Sequence, residues 1–160
     1  TFCQRTFESS SDSKRYFTVG VDTDGRDLHL DEDLCSITTV KTNFDNASPD
    51  SLTDGTDFIT IPRNITPYHT LRLLNSSDYS WTYTDDPELG IEVDGKWAYS
   101  TSAPADIVHA CIRLASYYYR QKDAQVFDTT VTPELGIITV PQGMPRDIEN
   151  LLAPYKRMVL

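Results

Sequence analysis

Toward the C-terminus, Ile107, Ala110, Cys111, Leu114, Ala115 and Tyr118 fall at steps 0, 3, 4, 7, 8 and 11, the spacing of one buried stripe on an α-helix. Pro104 marks the start, since it needs no amide partner in a first turn, and Asp106 sets a negative charge at the positive end of the helix dipole. The helix should fade near Arg120-Gln121-Lys122-Asp123, where cations suit its negative end. Val108, Ile112 and Tyr119 add a second, flanking stripe. Two stripes ask for two partners: the rest of this chain and a neighbouring subunit, or one subunit that buries the helix on both sides. Tyr117, Tyr118 and Tyr119 cover three helix directions, so at least one ring faces a partner or solvent.

The β-rich runs 126–131 and 137–140 flank Thr132-Pro133-Glu134-Leu135-Gly136, in which Pro pre-sets a turn and Gly accepts positive φ; this predicts a hairpin. A second helix should start at Pro145, with Asp147 and Glu149 near its beginning and Ile148, Leu151, Leu152 and Tyr155 at core spacing. Pro154 should end or kink it. Beyond it, Tyr155, Lys156, Arg157, Met158, Val159 and Leu160 combine two cations with apolar residues that a solvated terminus has little reason to carry, so they are expected to bind a partner or to fold back on their own subunit.

This order resembles the head–tail connector (adaptor) proteins of long-tailed bacteriophages. There a helix opening Pro-x-x-Ile-x-x-Ala precedes a hairpin and a final helix ending Leu-Leu-x-Pro-Tyr-Arg/Lys. The matching residues are Pro104, Ile107 and Ala110, then Leu151, Leu152, Pro154, Tyr155, Lys156 and Arg157. The resemblance covers roughly 96–160 and is looser earlier, at Gln4-Arg5-Thr6-Phe7 and Gly95-Lys96-Trp97-Ala98-Tyr99-Ser100. Its motifs are packing and turn motifs, and none is a catalytic signature. It implies a non-enzymatic virion protein of the neck, assembled in the host cell cytoplasm. Its subunits would form a homo-oligomeric, twelvefold ring under the portal protein. DNA would pass the lumen without specific binding, and a downstream neck or tail component would dock on the ring. Tyr117–Tyr119 and residues 155–160 would serve the ring or portal interface. Family members usually begin with additional helix; Thr1 is not an initiator Met, which points to a trimmed chain whose residues 1–7 are the remnant of a helix end.

The chain's 160 residues suit one domain, read as a β-rich region over 1–103, an insertion in the connector fold, followed by the helix–hairpin–helix module over 104–160. The class is α+β. Charge is uneven: residues 1–103 hold 18 acids and 8 bases, while 104–160 hold 6 of each. An acidic front half argues against gripping nucleic acid, which needs clustered Lys and Arg to neutralise phosphates. An acidic wall past which DNA slides, or an ordinary solvated surface, both fit. No apolar run approaches the roughly 20 residues that span a bilayer, so no membrane partner is expected. Cys3, Cys35 and Cys111 are odd in number and widely spaced, which suits free thiols in a reducing compartment. The sequons at Asn46, Asn64 and Asn75 matter only in a secreted eukaryotic chain.

Candidate strands in the front half lie at roughly 15–22, 26–31, 35–41, 57–61, 68–75, 79–84, 90–94 and 96–100, which predicts antiparallel β, a small sandwich or open barrel. Of three Asp-Gly pairs, at 24–25, 54–55 and 94–95, two sit between runs that could form tight hairpins. Polar stretches at 8–13 and 43–56 read as loops. Pro-Glu-Leu-Gly-Ile occurs at 87–91 and 133–137 without matching flanks, one turn solution used twice.

Constellations of chemical interest are few. Asp22-Thr23-Asp24-Gly25-Arg26-Asp27 and Asp31-Glu32-Asp33 suggest a weak cation site, but a calcium loop from Asp22 would need Gly at 27 and Glu at 33, where Asp27 and Asp33 stand; a hairpin turn at Asp24-Gly25 is the simpler reading. His29, His69 and His109 lack zinc spacing, no nucleophile elbow or phosphate loop occurs, and no cofactor is expected. Trp81, Tyr83, Trp97 and Tyr99 at period two on adjacent β runs form either a core or a platform for carbohydrate or peptide. That platform supports the chief rival to the connector, a β-sandwich binding module. A carboxylate-dependent hydrolase comes third, because acids are abundant.

Overall fold

The computed structural model describes residues 2–124, 129–132, 136–139 and 143–157. The chain divides into two compact units, Arg5–Ala103 and a second made of Thr1–Gln4 with Pro104–Leu160. Among the described residues the first unit holds one seven-stranded antiparallel sheet: β1 (Ser13–Phe17), β2 (Thr23–Asp24), β3 (Asp27–Thr42), β4 (Asp50–Leu52), β5 (Phe58–Ile61), β6 (Tyr68–Leu73) and β7 (Ile91–Trp97). Its order is β1-β7-β3-β6-β5, with β2 and β4 added to β3, and the sheet stays open. Alternation explains the core: Leu28, Leu30, Leu34 and Val40 of β3 and Ile91, Val93 and Trp97 of β7 point inward onto Phe17, Leu52, Phe58, Leu71, Leu73 and Trp81.

β3 joins the two expected runs 26–31 and 35–41 into one 16-residue strand, bulged between His29 and Leu34 and again between Leu34 and Thr39. Its first half pairs with β6 and its second with β7 and β4, so the break between the two expected runs is absorbed as irregular register. Asp24-Gly25 does make the tight hairpin, joining β2 to β3 with Gly25 at φ +60. Asp94-Gly95 does not turn; the strand runs through it. A Cβ on Gly95 would lie 2.2 Å from the Ser36 carbonyl oxygen, so here glycine admits the bulged neighbour's backbone.

Three other expectations need correction. The run 79–84 is not a strand: it is tied to the end of β3 by side chains, Thr42 Oγ1 donating to the Ser80 carbonyl at 3.0 Å and accepting from the Thr82 N–H at 3.0 Å. The stretch 43–56 is not one loop, because β4 lies in it and Leu52 is buried. Residues 2–7 are not helical; Thr6 accepts from the Tyr99 N–H and Cys3 from the Arg157 N–H.

The second unit follows the predicted order: α1 (Ala105–Ala124), the paired strands β8 (Thr129–Thr132) and β9 (Gly136–Thr139), α2 (Arg146–Leu152), then a 3-10 turn over Ala153–Tyr155. Both helices start alike, with the carbonyls of Pro104 and Pro145 accepting from the amides three and four residues on. With the open sheet, they make the chain α+β. Val126, Phe127, Asp128 and the turn residues Pro133–Leu135 lie outside the described residues.

Candidate assembly interface

α1 meets its own unit along a narrow line. Ile107 and Ala110 are buried, and Leu114 and Tyr117 are half-buried, at steps 0, 3, 7 and 10. Cys111, Ala115 and Tyr118, expected on the buried stripe, are exposed instead. The reason is the size of the covering element: α2 has seven residues and buries only Ile148 and Leu152. The flanking stripe is therefore open. Val108 is 44% exposed, Ile112 60% and Tyr119 66%, with Cys111 and Ala115 between them. Of the tyrosine triplet, Tyr118 and Tyr119 are exposed, while Tyr117 turns inward and touches the Tyr118 ring at 5.7 Å between centroids.

Arg113 of α1 forms an ion pair with Asp147 of α2, and between these helices runs an open groove of about 450 Å³ lined by Ile112, Ser116, Tyr117, Arg120, Pro145 and Ile148. The chain after α2 returns to its own unit. The Tyr155 hydroxyl donates to Asp106 at 3.2 Å, the Lys156 ammonium lies 5.8 Å from the Phe2 ring centre, and the Arg157 N–H donates to the Cys3 carbonyl at 3.0 Å. Residues 155–157, expected to bind a partner or to fold back on their own subunit, hold these contacts within the unit; Met158, Val159 and Leu160 lie outside the described residues.

In the sheet unit the charged groups are organised for structure. Glu92 is fully buried on the face of β7 opposite the core, directly across from Tyr16 and Lys41. Its carboxylate accepts from Lys41 and Lys14, each at 3.2 Å, and from the Tyr16 hydroxyl at 3.3 Å. Burial alone would raise its pKa, but the hydrogen bonds from the two lysines outweigh it, and the carboxyl titrates below the ordinary glutamate range. Asp45 accepts from three successive amides, Asp86 at 2.8 Å, Thr84 at 3.0 Å and Asp85 at 2.5 Å. These bonds, that from Asp86 foremost, hold its pKa down and fix the loop 84–86. No sequence motif announces this clamp.

The acids of the suspected cation segment are dispersed rather than convergent. Asp22 accepts from the Thr18 N–H, Asp27 forms a bidentate pair with Arg72 at 2.6 Å, and Asp31 and Glu32 share Arg15. The Arg72 hydrogen bonds hold Asp27 below the usual aspartate range. Asp33 is buried beside Arg5 at 3.4 Å and His69 at 3.5 Å. Among the described residues no group of three metal-ligating side chains converges, and no helix is long and apolar enough to cross a membrane. The aromatic platform is not assembled: Trp81 and Trp97 are core residues whose indole N–H groups donate to the Arg26 and Ser13 carbonyls, and Trp81 and Tyr83 lie in no strand.

The open α1 stripe and its adjoining groove thus form an apolar surface that the packing of the two helices leaves uncovered. No protein-family model and no curated protein sequence matches the chain.

Proposed function

We propose that this chain is a structural subunit of a ring-shaped head–tail connector, seated under the portal, extending the DNA channel and presenting a docking surface to the next neck or tail component. The observation that carries the reading is the second face of α1. A helix that turns Val108, Ile112, Ala115 and Tyr119 to solvent while its opposite line packs on its own unit is built for two partners. Completing the burial of Val108 and Ile112 would contribute about 1 kcal/mol each, roughly half of the 1.5–3 for a fully exposed aliphatic side chain. Repeated around a ring, such a contact becomes a stable assembly. The acidic sheet unit suits a wall that DNA passes without adhering, and its buried carboxylates are held by cations in structural pairs.

Cryo-electron microscopy of intact particles at the portal vertex tests this. Copies of this fold closing a ring beneath the portal are expected, with α1 between neighbours. A neck reconstructed without this chain overturns the assignment. Deleting residues 155–160 separates the tail's two roles: a folded subunit that no longer joins portal-containing particles supports portal docking, whereas undiminished incorporation removes it.

A further inference from the structure

The groove beside α1 carries a cation without a partner: Arg120 is exposed and forms no ion pair among the described residues, while Arg113 at the same groove is balanced by Asp147. Its floor is apolar, from Ile112, Tyr117 and Ile148. The sheet unit carries a surface of matching chemistry. In the loop 83–89, Tyr83 is 45% and Leu89 43% exposed, and between them Asp85, Asp86 and Glu88 are exposed without any ion pair among the described residues. The loop is held in advance of binding. Asp45 takes the amides of Thr84, Asp85 and Asp86, the Asp86 side chain accepts from the Glu88 N–H at 3.2 Å, and Pro87–Leu89 forms a 3-10 turn. Such an element loses little conformational freedom on docking.

We propose that the acidic–apolar loop 83–89 of one copy docks in the α1–α2 groove of the next, Leu89 and Tyr83 covering its apolar floor and Asp85 and Glu88 meeting Arg120. In this arrangement the loop of one copy enters the groove of the next and not that of a reciprocal partner, so the contact is heterologous and propagates head to tail, closing into a ring when the rotation allows. It rests on the connector reading and names the charged contact between neighbours that the apolar stripe alone does not specify. A net charge of −10 on the chain makes unguided association of copies unfavourable, so an attractive pair of this kind also selects the register.

Sedimentation velocity on the full chain, over a concentration series and at two salt concentrations, tests it with two variants. Arg120→Glu reverses the groove; Asp85→Arg with Glu88→Arg reverses the loop while keeping the backbone amides that Asp45 holds. Each variant alone should associate at least about tenfold more weakly than the unaltered chain, because like charges then face each other. An equimolar mixture should recover association, since each loop then finds a groove of opposite sign, and added salt should weaken both the native and the restored contact. Circular dichroism confirms that the variants are folded. Either variant associating like the unaltered chain, a mixture that fails to recover, or an unaltered chain that stays monomeric throughout overturns this contact. The vertex image decides the connector reading separately: a ring seen there, with sedimentation unaffected by the reversals, removes only the loop-and-groove contact.

Discussion

Replacing Glu92 by Gln tests whether charge holds the middle of the sheet. The substitution keeps the volume but replaces one acceptor oxygen by an amide donor, so at least one of Lys14 and Lys41 would face a donor instead of a carboxylate. Breaking a fully buried ion pair typically costs about 3–5 kcal/mol. Here the Lys14 side chain is 52% exposed and that of Lys41 28%, so both ammonium groups keep access to water, and the expected loss is about 1–3 kcal/mol. For a chain of this size each kcal/mol moves Tm by roughly 2–4 °C, giving a fall of about 2–12 °C. The pH dependence sharpens the test. Because Glu92 titrates below the ordinary glutamate value near 4.5 when folded, the unfolded chain binds more protons between the two values, and stability rises with pH there. The contribution is complete above the ordinary value and is lost as pH falls through the lower, folded one. Urea denaturation followed by fluorescence of the buried Trp81 and Trp97 should therefore show a gap between the two proteins near neutral pH that narrows in acid. Equal stability at neutral pH, or a gap of constant size down to low pH, would refute the argument.

Gly95→Ala should destabilise the sheet by about 1–3 kcal/mol, since its Cβ would sit 2.2 Å from the Ser36 carbonyl and one strand must move; an unchanged urea midpoint would contradict the close approach. Thiol labelling of the native chain should modify exposed Cys111 first, Cys35 more slowly because burial pushes its thiol up, and buried Cys3 last, with all three reacting once the chain is denatured without reductant. Recovery of a single reactive thiol in denaturant would exclude three free cysteines. Asp45→Ala removes the acceptor for three loop amides and should expose 84–88 to limited proteolysis; a digestion pattern identical to that of the unaltered chain would show that the loop does not depend on the clamp.

Elements whose signals are local are legible in the sequence. Pro104, Asp106 and Pro145 mark helix starts within a few residues of the observed ends, and Asp24-Gly25 marks a hairpin because two adjacent residues set its backbone angles. The same dipeptide at Asp94-Gly95 reads identically and means something else. There the requirement comes from Ser36, far away in sequence, whose carbonyl approaches through a bulge that no local pattern announces. The run 79–84 has strand composition yet is held by Thr42 and by burial of Trp81, so long-range side-chain bonds override propensity.

At the candidate interface the division is sharper. Residue spacing by itself determines that α1 has two apolar stripes, because 3.6 residues per turn converts sequence intervals directly into directions. It does not determine which stripe is covered. That depends on how long α2 is and where it lies: α2 packs on α1 with only two turns, and Ile107 and Ala110 are buried while Cys111, Ala115 and Tyr118 lie beside Val108, Ile112 and Tyr119 in the open. Asp45 and Glu92 belong wholly to the tertiary structure. Each looks in the sequence like any other acid of an acidic chain, and only the return of residues 84–86 to Asp45, and the register that sets Lys41 and Tyr16 across from Glu92, give those carboxylates their partners.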